Sequence, residues 1–178
     1  MPQFIDDATF GDYFTTFEHT AWRLETRRGY ASDREGERYQ YHLATGTLRE
    51  DGERPWHVNV RAQTGQGKRI ERVRLVDTPP TPEQLFLLAS AAGNNAAGED
   101  IRSMWRTDAE RLHLPAEDFW LFDSREALLL HFDDADTYLG AELVEEPERI
   151  VRYCQIRDAA WHHAIQREDF VAQVASTV

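Results

Sequence analysis

The chain has 178 residues, with 20 Lys and Arg against 32 Asp and Glu and a formal net charge of −12. This surplus of acid argues against direct binding to a nucleic-acid backbone, which needs a cationic face. The length predicts one domain, large enough to bury its own apolar core without disulfides or metals.

Cysteine usage and the N-terminal segment predict the compartment. Cys154 is the only cysteine, so an internal disulfide framework is excluded and a reducing cytosol is favoured. The segment MPQFIDDATF lacks the basic start and the apolar run of a signal peptide. No stretch approaches the roughly 18 apolar residues of a membrane-spanning helix. We therefore expect a cytoplasmic protein with no membrane contact.

The first third of the chain is predicted to alternate between helix and strand. Aromatic residues at i, i+3, i+4 and i+7 from Phe10 predict an amphipathic helix, and Thr20–Thr26 has the composition of a strand. Ser32 to Glu35 has capping-box spacing, which predicts one helix from Ser32 to Gly46 with Tyr39 and Leu43 buried.

The middle of the chain continues this alternation. A helix opening near Pro55 should carry Trp56 and Val60 inward and stop at the glycines that precede a strand at Ile70–Val76. Thr81 then begins a T-x-x-Q cap with proline at the first helical position. The capped helix should end by Gly98, before a short strand at Asp100–Met104, and should bury Leu85, Phe86, Leu88 and Ala89.

The last third predicts a meander of three strands and a long helix. Apolar runs at Phe119–Phe122, Ala127–Phe132 and Tyr138–Val144 are separated by polar turns, and Glu-Glu-Pro-Glu opens the helix. Strands separated by helices predict a partly parallel sheet. We therefore expect an α/β fold, a single mixed sheet flanked by helices, over residues 1–165. Residues 166–178 should form a tail or a short helix.

Three motifs that could carry chemistry fail on their spacing. The Gly-Lys pair at Gly67 lacks the earlier glycine and the following Ser or Thr of a phosphate loop. The acidic run from Asp133 lacks the glycine and the glutamate of a calcium loop. His162 and His163 point about a hundred degrees apart on a helix, so they do not chelate one ion together. We therefore expect no cofactor, no metal site and no complete catalytic motif.

Charged residues inside predicted strands are the main candidates for a site. Arg72 and Arg74 share the parity of Ile70 in a strand that a helix should cover. Buried guanidinium groups need carboxylate partners or an anionic ligand, so either an internal salt-bridge network or a ligand pocket accounts for them. The ligand-binding candidates, expected near one edge of the sheet, are Glu25, Arg28, Tyr30, Arg72, Arg102 and Asp123.

Several stretches carry a family resemblance: AWRLETRRGYASDREGERY, GKRIERVRLVD, AGEDIR, DFWLFDS, HFDDADTYLGAELV and RDAAWHHAI. In combination they resemble a family of uncharacterised actinobacterial proteins known only as a domain of unknown function. Members are often encoded beside helix-turn-helix regulators and small companion proteins. The resemblance implies a regulatory or antitoxin-like accessory role.

The order of the elements also resembles the phospholipase D-like α/β domain, including degenerate copies that serve as sensor modules in regulators. Catalytic copies carry a His-x-Lys pair that leads into a strand ending in Asp. If Asp123 corresponds to that Asp, the His and Lys positions hold Ala116 and Asp118. The resemblance then implies that the nucleophile and the phosphate-binding group are missing, so phosphodiesterase activity is not expected.

Our first functional hypothesis is a non-enzymatic regulatory module that binds a protein partner, such as a helix-turn-helix regulator, and a small anionic ligand. One alternative is a hydrolase that acts on an anionic small molecule through a Glu/Arg/Asp cluster. Another is a homodimeric scaffold without a ligand. The candidates for an acidic surface that contacts a basic partner are Asp133, Asp134, Glu142, Glu145 and Glu146.

Overall fold

The computed structural model describes residues 2–49 and 53–177. Within these residues eight strands form one sheet. The strands are β1 (Phe4–Ile5), β2 (Thr20–Glu25), β3 (Arg69–Val76), β4 (Asp100–Trp105), β5 (Asp118–Phe122), β6 (Glu126–Phe132), β7 (Tyr138–Val144) and β8 (Ile165–Gln166).

The sheet is mixed, as the sequence predicted. Its order is β1-β7-β6-β5-β2-β3-β4-β8. The central strands β2, β3 and β4 pair in parallel, and each is followed by helical crossovers. Strands β5, β6 and β7 form the predicted antiparallel meander, and β5 joins it to β2. The two-residue strands β1 and β8 were not predicted, because they are too short to show a period-two pattern.

Helices cover both faces of the sheet in the described part of the chain. They are α1 (Asp7–Thr16), α2 (Ala31–Arg34), α3 (Glu37–Thr45), α4 (Pro55–Thr64), α5 (Pro82–Ala97), α6 (Arg106–Arg111), α7 (Pro147–His163) and α8 (Arg167–Ser176). Helix α7 packs on one face through Ile150, Tyr153 and Ile156, while α1 and α4 pack on the other through Phe14 and Val60.

The predicted starts of two helices are confirmed. Thr81 accepts a hydrogen bond from the backbone N–H of Gln84, and the Gln84 side chain accepts one from the Thr81 N–H. This reciprocal pair is the capping box that the T-x-x-Q spacing predicted. Helix α4 begins at Pro55, whose missing N–H costs nothing in the first helical turn.

The single helix predicted from Ser32 to Gly46 is wrong. The chain forms α2 and then α3, separated at Gly36, which adopts an extended conformation (φ −79°, ψ 142°) as the N-cap of α3. Tyr39 is buried as predicted, but Leu43 is exposed. Leu85, predicted to lie inside, is also exposed. In both helices the apolar periodicity continues past the surface that the sheet covers.

The C-terminal segment forms a helix that packs on the domain. Phe170 of α8 is fully buried and packs with Val76 of β3 and Leu88 of α5. The segment reaches α8 through β8, where Ile165 pairs with Ser103 of β4. Among the described residues, no helix combines the length and the apolarity needed to cross a membrane.

Candidate functional site

Every second side chain of β2 and β3 points to the same face of the sheet, and several of these side chains are charged. In the parallel register, Arg23 lies opposite Arg72 and Glu25 lies opposite Arg74. Trp120 of β5 lies opposite Arg23 on the other side of β2. Because every second residue of a strand faces the same side, these side chains form two adjacent rows beneath α1, α4 and α5.

Glu25 lies at the centre of this charged group. Its side chain is 4% exposed and accepts from Arg72 Nη1 at 2.8 Å and from Arg74 Nε, with Arg23 Nη1 at 3.1 Å. Burial alone would raise the pKa of the Glu25 carboxyl, but Arg74, Arg23 and Arg72 together hold that pKa well below its ordinary value. Glu25 is therefore ionised at neutral pH.

Arg72 is held between two carboxylates. Besides the bond to Glu25, its Nε and Nη2 donate to Glu99 Oε1 at 2.8 and 2.6 Å. The other Glu99 oxygen accepts from Trp56 Nε1 at 2.9 Å and from Asn94 Nδ2 at 3.0 Å. Since its donors are all used and its partners are buried, Arg72 is a fixed part of the floor of the site.

Asp118 closes the other end of the charged group. It is 3% exposed and accepts from the backbone N–H and the hydroxyl of Thr26, both at 2.7 Å, and from the Tyr30 hydroxyl at 2.6 Å. Burial raises the pKa of the Tyr30 hydroxyl well above its ordinary value, and the charge of Glu25 adds to this. Tyr30 is therefore a neutral hydrogen-bond donor here.

Arg23 is the least satisfied of the floor arginines. It lies 3.1 Å from Glu25 and 3.5 Å from Asp118, and its guanidinium lies 5.6 Å from the ring centres of Tyr30 and Trp120. Its Nε is buried and finds no hydrogen-bond acceptor in residues 2–49 and 53–177. On α5, the buried Ser90 hydroxyl likewise has no partner within the described residues.

Aromatic side chains stand above this polar floor in two groups. Phe14 packs edge-on against Trp56 and Trp120, with interplanar angles of 79° to both. On the β6–β7 side, Phe132 packs edge-on against Tyr138 at 61°. Arg72 lies over the rings of Trp56 and Trp120, and Arg27 lies over the ring of Phe132. A flat ligand group would therefore contact the ring edges and the remaining ring faces.

The floor and the aromatic groups line a cavity of about 820 Å³ that is open to solvent. A volume of this order lies within the range of small-molecule sites, which are lined mainly by apolar and aromatic groups with a few fixed polar ones. The polar part of the lining contains five arginines, two carboxylates and an unpartnered hydroxyl: Arg23, Arg38, Arg54, Arg72, Arg74, Glu25, Asp33 and Ser90.

One family model matches residues 8–172 of the chain, and its description is a domain of unknown function, DUF6879. The chain belongs to the DUF6879 family. The cavity residues, from Phe10 to Tyr138, all lie inside the matched region. No curated protein matches the chain.

The predicted ligand candidates divide into two sets in this DUF6879 domain. Glu25, Tyr30 and Arg72 come together in the cavity, as expected. Arg28 is largely exposed and pairs with Asp77 at 3.0 Å. The expected convergence of all six residues is therefore only partly correct.

Arg102 and Asp123 lie away from the cavity. Arg102 pairs with Asp100 at 2.9 Å and lies 3.8 Å over the Trp161 ring, on the face that α7 covers. Asp123 lies beyond the start of β2, at the opposite end from Glu25. The positions of Asp123 and Arg102 in the sequence did not show at which end or on which face of the sheet their side chains would lie.

Sequence reasoning missed several cavity residues. Arg23 lies two positions before Glu25 on β2, so its parity alone could have placed it with the candidates. Glu99 and Ser90 gave no comparable signal, because their contacts depend on how α5 and the loop after it cross the sheet. Trp56 was predicted only to point inward, and Trp120 only to lie within the strand Phe119–Phe122.

The five acidic partner candidates do not form one patch. Asp133 and Asp134 are exposed at one end of β7, and Glu145 and Glu146 are exposed at its other end. A seven-residue strand separates the two pairs by roughly 20 Å. Glu142, between them, accepts hydrogen bonds from His131 at 2.9 Å and Arg149 at 3.3 Å.

Asp136, which was not a candidate, ties the β6–β7 turn to α2. It accepts from Arg27 Nε at 2.6 Å and from Arg34 Nη1 at 3.0 Å. His131 pairs with Glu142 at 2.9 Å. In the described ranges, no group of three or more His, Cys, Asp or Glu side chains is arranged to hold a metal ion.

Proposed function

We propose that this DUF6879 domain is a non-enzymatic binding module that holds a small organic anion in the cavity between the sheet and α1, α4 and α5. The observation that supports the proposal is the cavity of about 820 Å³, with an arginine-rich floor and an aromatic lining, in a chain whose net charge is −12. Within the described residues, the five arginines of the lining exceed by one the four carboxylates around them, those of Glu25, Asp33, Glu99 and Asp118, and this small positive excess favours an anion.

The construction of the floor supports binding rather than a purely structural role. Arg72 and Glu99 are fully paired, as in an internal salt-bridge network. A structural network has no need of an adjacent cavity, nor of buried donors without acceptors such as Arg23 Nε and Ser90 Oγ. A ligand with two separate acceptor atoms could satisfy both donors. A preformed polar floor also lowers the cost of ordering the site on binding.

The floor gives less support to the alternative hydrolase. A general acid or base needs a pKa close to the working pH and a free proton or lone pair. Glu25 has a pKa well below its ordinary value, and arginines occupy both of its oxygens. Tyr30 has a raised pKa, and its hydroxyl donates a hydrogen bond to Asp118. These groups are suited to holding charge in place rather than to moving a proton.

The relation to phospholipase D-like domains and the regulatory role belong to the same proposal. If Asp123 corresponds to the Asp of catalytic copies, the position of the phosphate-binding Lys holds Asp118, a buried carboxylate that accepts hydrogen bonds from Thr26 and Tyr30. The cation that binds phosphate in the catalytic copies would therefore be missing. The absence of this cation is consistent with a degenerate copy that binds an effector and passes the signal to a helix-turn-helix partner. It is also consistent with a homodimer.

The proposal is tested by calorimetric titration of the purified domain with a panel of small carboxylates, sulfonates and phosphates. We expect at least one to bind with a stoichiometry of one and to raise the melting temperature. The variant Ser90→Phe, which extends a bulky side chain into the cavity, should abolish that binding.

The matched control is Ala92→Phe, on the same helix α5 but at an exposed position. It adds the same side chain outside the cavity and should bind as the unaltered domain does. If no member of the panel binds, or if the two variants affect binding equally, the cavity is not a ligand site and the proposal is wrong.

A further inference from the structure

We infer that the ligand is a planar aromatic monoanion, whose acid group contacts Arg23 and whose ring system lies between the two aromatic groups of the cavity. This inference rests on the proposed function and specifies its ligand class. Three properties of the site support it: the number of unused donors, their place in the floor, and the shape of the apolar lining.

The unused donors of the floor are sufficient for one acid group. Arg72 directs all its donor nitrogens at Glu25 and Glu99. Arg74 donates through Nε to Glu25 and through Nη1 to the Leu87 carbonyl oxygen. Arg23 is left with a buried Nε that has no acceptor in the described residues. A ligand with several phosphates would need more donors than the floor offers.

The helix-borne arginines are arranged differently from Arg23. Arg54 donates to Asn94 Oδ1 at 2.7 Å, and Arg38 lies 5.8 Å over the ring of Phe86. Both belong to the wall that α3, α4 and α5 form rather than to the sheet. Arg23 instead lies between the rings of Tyr30 and Trp120, so an acid group bound to it is already next to aromatic surface.

Ser90 supplies a second polar contact from the opposite side of the cavity. It stands on α5, whereas Arg23 stands on β2, and both line the same cavity. Its hydroxyl is buried and unpartnered in the described part of the chain. A ligand that reaches from β2 to α5 can satisfy both donors at once if it carries an acceptor at each end.

The apolar lining fits a flat ring system. Phe14, Trp56 and Trp120 form one aromatic group, and Phe132 and Tyr138 form the other. Aromatic rings of a ligand gain from edge-on and offset contacts with such groups beyond the burial of area. A saturated body of equal volume would gain the burial alone.

The test compares four probes by isothermal titration calorimetry at neutral pH. The probe of the inferred class is 2-naphthoate. Its comparators are 2-naphthylmethanol, which keeps the ring without the charge, cyclohexanecarboxylate, which keeps the charge without the aromatic ring, and AMP, an aromatic dianion. We expect 2-naphthoate to bind one to one and at least about tenfold more tightly than each comparator.

Two variants locate the acid group and the second contact. Arg23→Lys keeps the charge but removes the Nε donor, and should weaken 2-naphthoate binding at least about tenfold. Ser90→Ala should weaken the binding of 6-hydroxy-2-naphthoate, which carries an acceptor at each end, about fivefold, and should leave the binding of 2-naphthoate unchanged. Arg102→Lys, on the other face of the sheet, is the matched control and should change nothing. Urea unfolding of each variant checks that it is folded.

The outcomes separate this inference from the proposed function. If AMP or cyclohexanecarboxylate binds more tightly than 2-naphthoate and Ser90→Phe blocks that binding, the cavity is an anion site of another class, and the inference alone is wrong. Equal binding of 2-naphthoate and 2-naphthylmethanol, or no loss with Arg23→Lys, also overturns it. If none of the probes binds and the wider panel fails too, both are wrong.

Discussion

Arg23 and Arg72 lie directly opposite each other on the parallel strands β2 and β3, with both guanidinium groups on the same face. Like charges in such a position repel and destabilise a sheet. The repulsion is compensated because both arginines are within 3.1 Å of the same oxygen of Glu25. The central strands of the domain therefore depend on an anion between them, and Glu25 provides it.

Glu25→Gln should destabilise the domain by about 3–5 kcal/mol, because it leaves buried guanidinium groups without a compensating charge. The measurement is equilibrium unfolding in urea at pH 7. Added sulfate should recover more stability in the variant than in the unaltered domain, since an anion that enters the cavity can replace the charge that the guanidinium groups have lost.

The matched control is Glu71→Gln on the neighbouring strand β3. Burial raises the pKa of the Glu71 carboxyl, so its ionised form is disfavoured in the folded domain. Replacing it with a neutral side chain should cost less than about 1 kcal/mol or should stabilise the domain. Equal losses for the two variants would show that the arginine group does not depend on Glu25.

Glu25 should also govern the acid stability of the domain. Because its pKa is lower in the folded than in the unfolded chain, it contributes stability above its ordinary pKa of about 4.5. That contribution is lost as the pH falls below this value toward the folded pKa. Stability should be lost in acid between about pH 5 and about pH 2. Over this range the free energy of unfolding should change less steeply with pH in the Glu25→Gln variant than in the unaltered domain. Parallel curves for the two proteins would contradict this.

The sequence was sufficient for strands β2 to β7 and for three of the six ligand candidates. Short apolar runs between turns predicted the strands of the meander, the alternation along β3 predicted that Arg72 and Arg74 share a face, and capping residues predicted α5, because these signals are local. The predictions that failed concern features that depend on tertiary contacts. Nothing local shows that Gly36 divides the helix after Tyr30, or that Glu99, beyond the end of α5, reaches Arg72. Asp123 is a residue type that can bind a ligand, but its carboxylate accepts hydrogen bonds from backbone N–H groups instead.

Asp123→Ala should reduce stability while leaving anion binding unchanged. Asp123 has a positive φ of 53° and accepts from the backbone N–H groups of Glu18, His19 and Thr20 at 2.7–2.9 Å. Loss of these charge-assisted bonds should cost about 2–3 kcal/mol in urea unfolding. Calorimetry with 2-naphthoate should give the affinity of the unaltered domain. Weakened binding by a folded variant would restore Asp123 to the ligand site.

Asp136→Ala should loosen the β6–β7 turn, which carries Phe132 and Tyr138 on the cavity wall. Asp136 has a positive φ of 65° and accepts from Arg27 and Arg34, so its loss should cost about 2 kcal/mol. Hydrogen exchange of the turn amides should accelerate. Asp134→Ala, an exposed neighbour, is the control and should fall within about 0.5 kcal/mol of the unaltered domain. Similar effects for both would show that the arginine contacts do not hold the turn.

Asp33 should make anion binding depend on pH. It lines the cavity from α2, and burial together with the charge of Glu25 raises the pKa of its carboxyl, while Arg74, Arg23 and Arg38 oppose that rise. An acid whose folded pKa is raised is disfavoured as an anion, so this contribution to stability is present at low pH and is lost as the pH rises through the folded pKa. At neutral pH the ionised carboxylate also repels an anionic ligand.

Asp33→Asn should therefore tighten 2-naphthoate binding at pH 7 by about threefold, and the gain should shrink as the pH falls toward the range in which Asp33 is protonated. Titrations of both proteins at pH 7, 6 and about 5, where Glu25 is still ionised, measure this difference. The neutral probe 2-naphthylmethanol is the control, and its affinity should not respond to the substitution. If the gain is the same at every pH, the substitution acts through shape, and Asp33 does not couple binding to protonation.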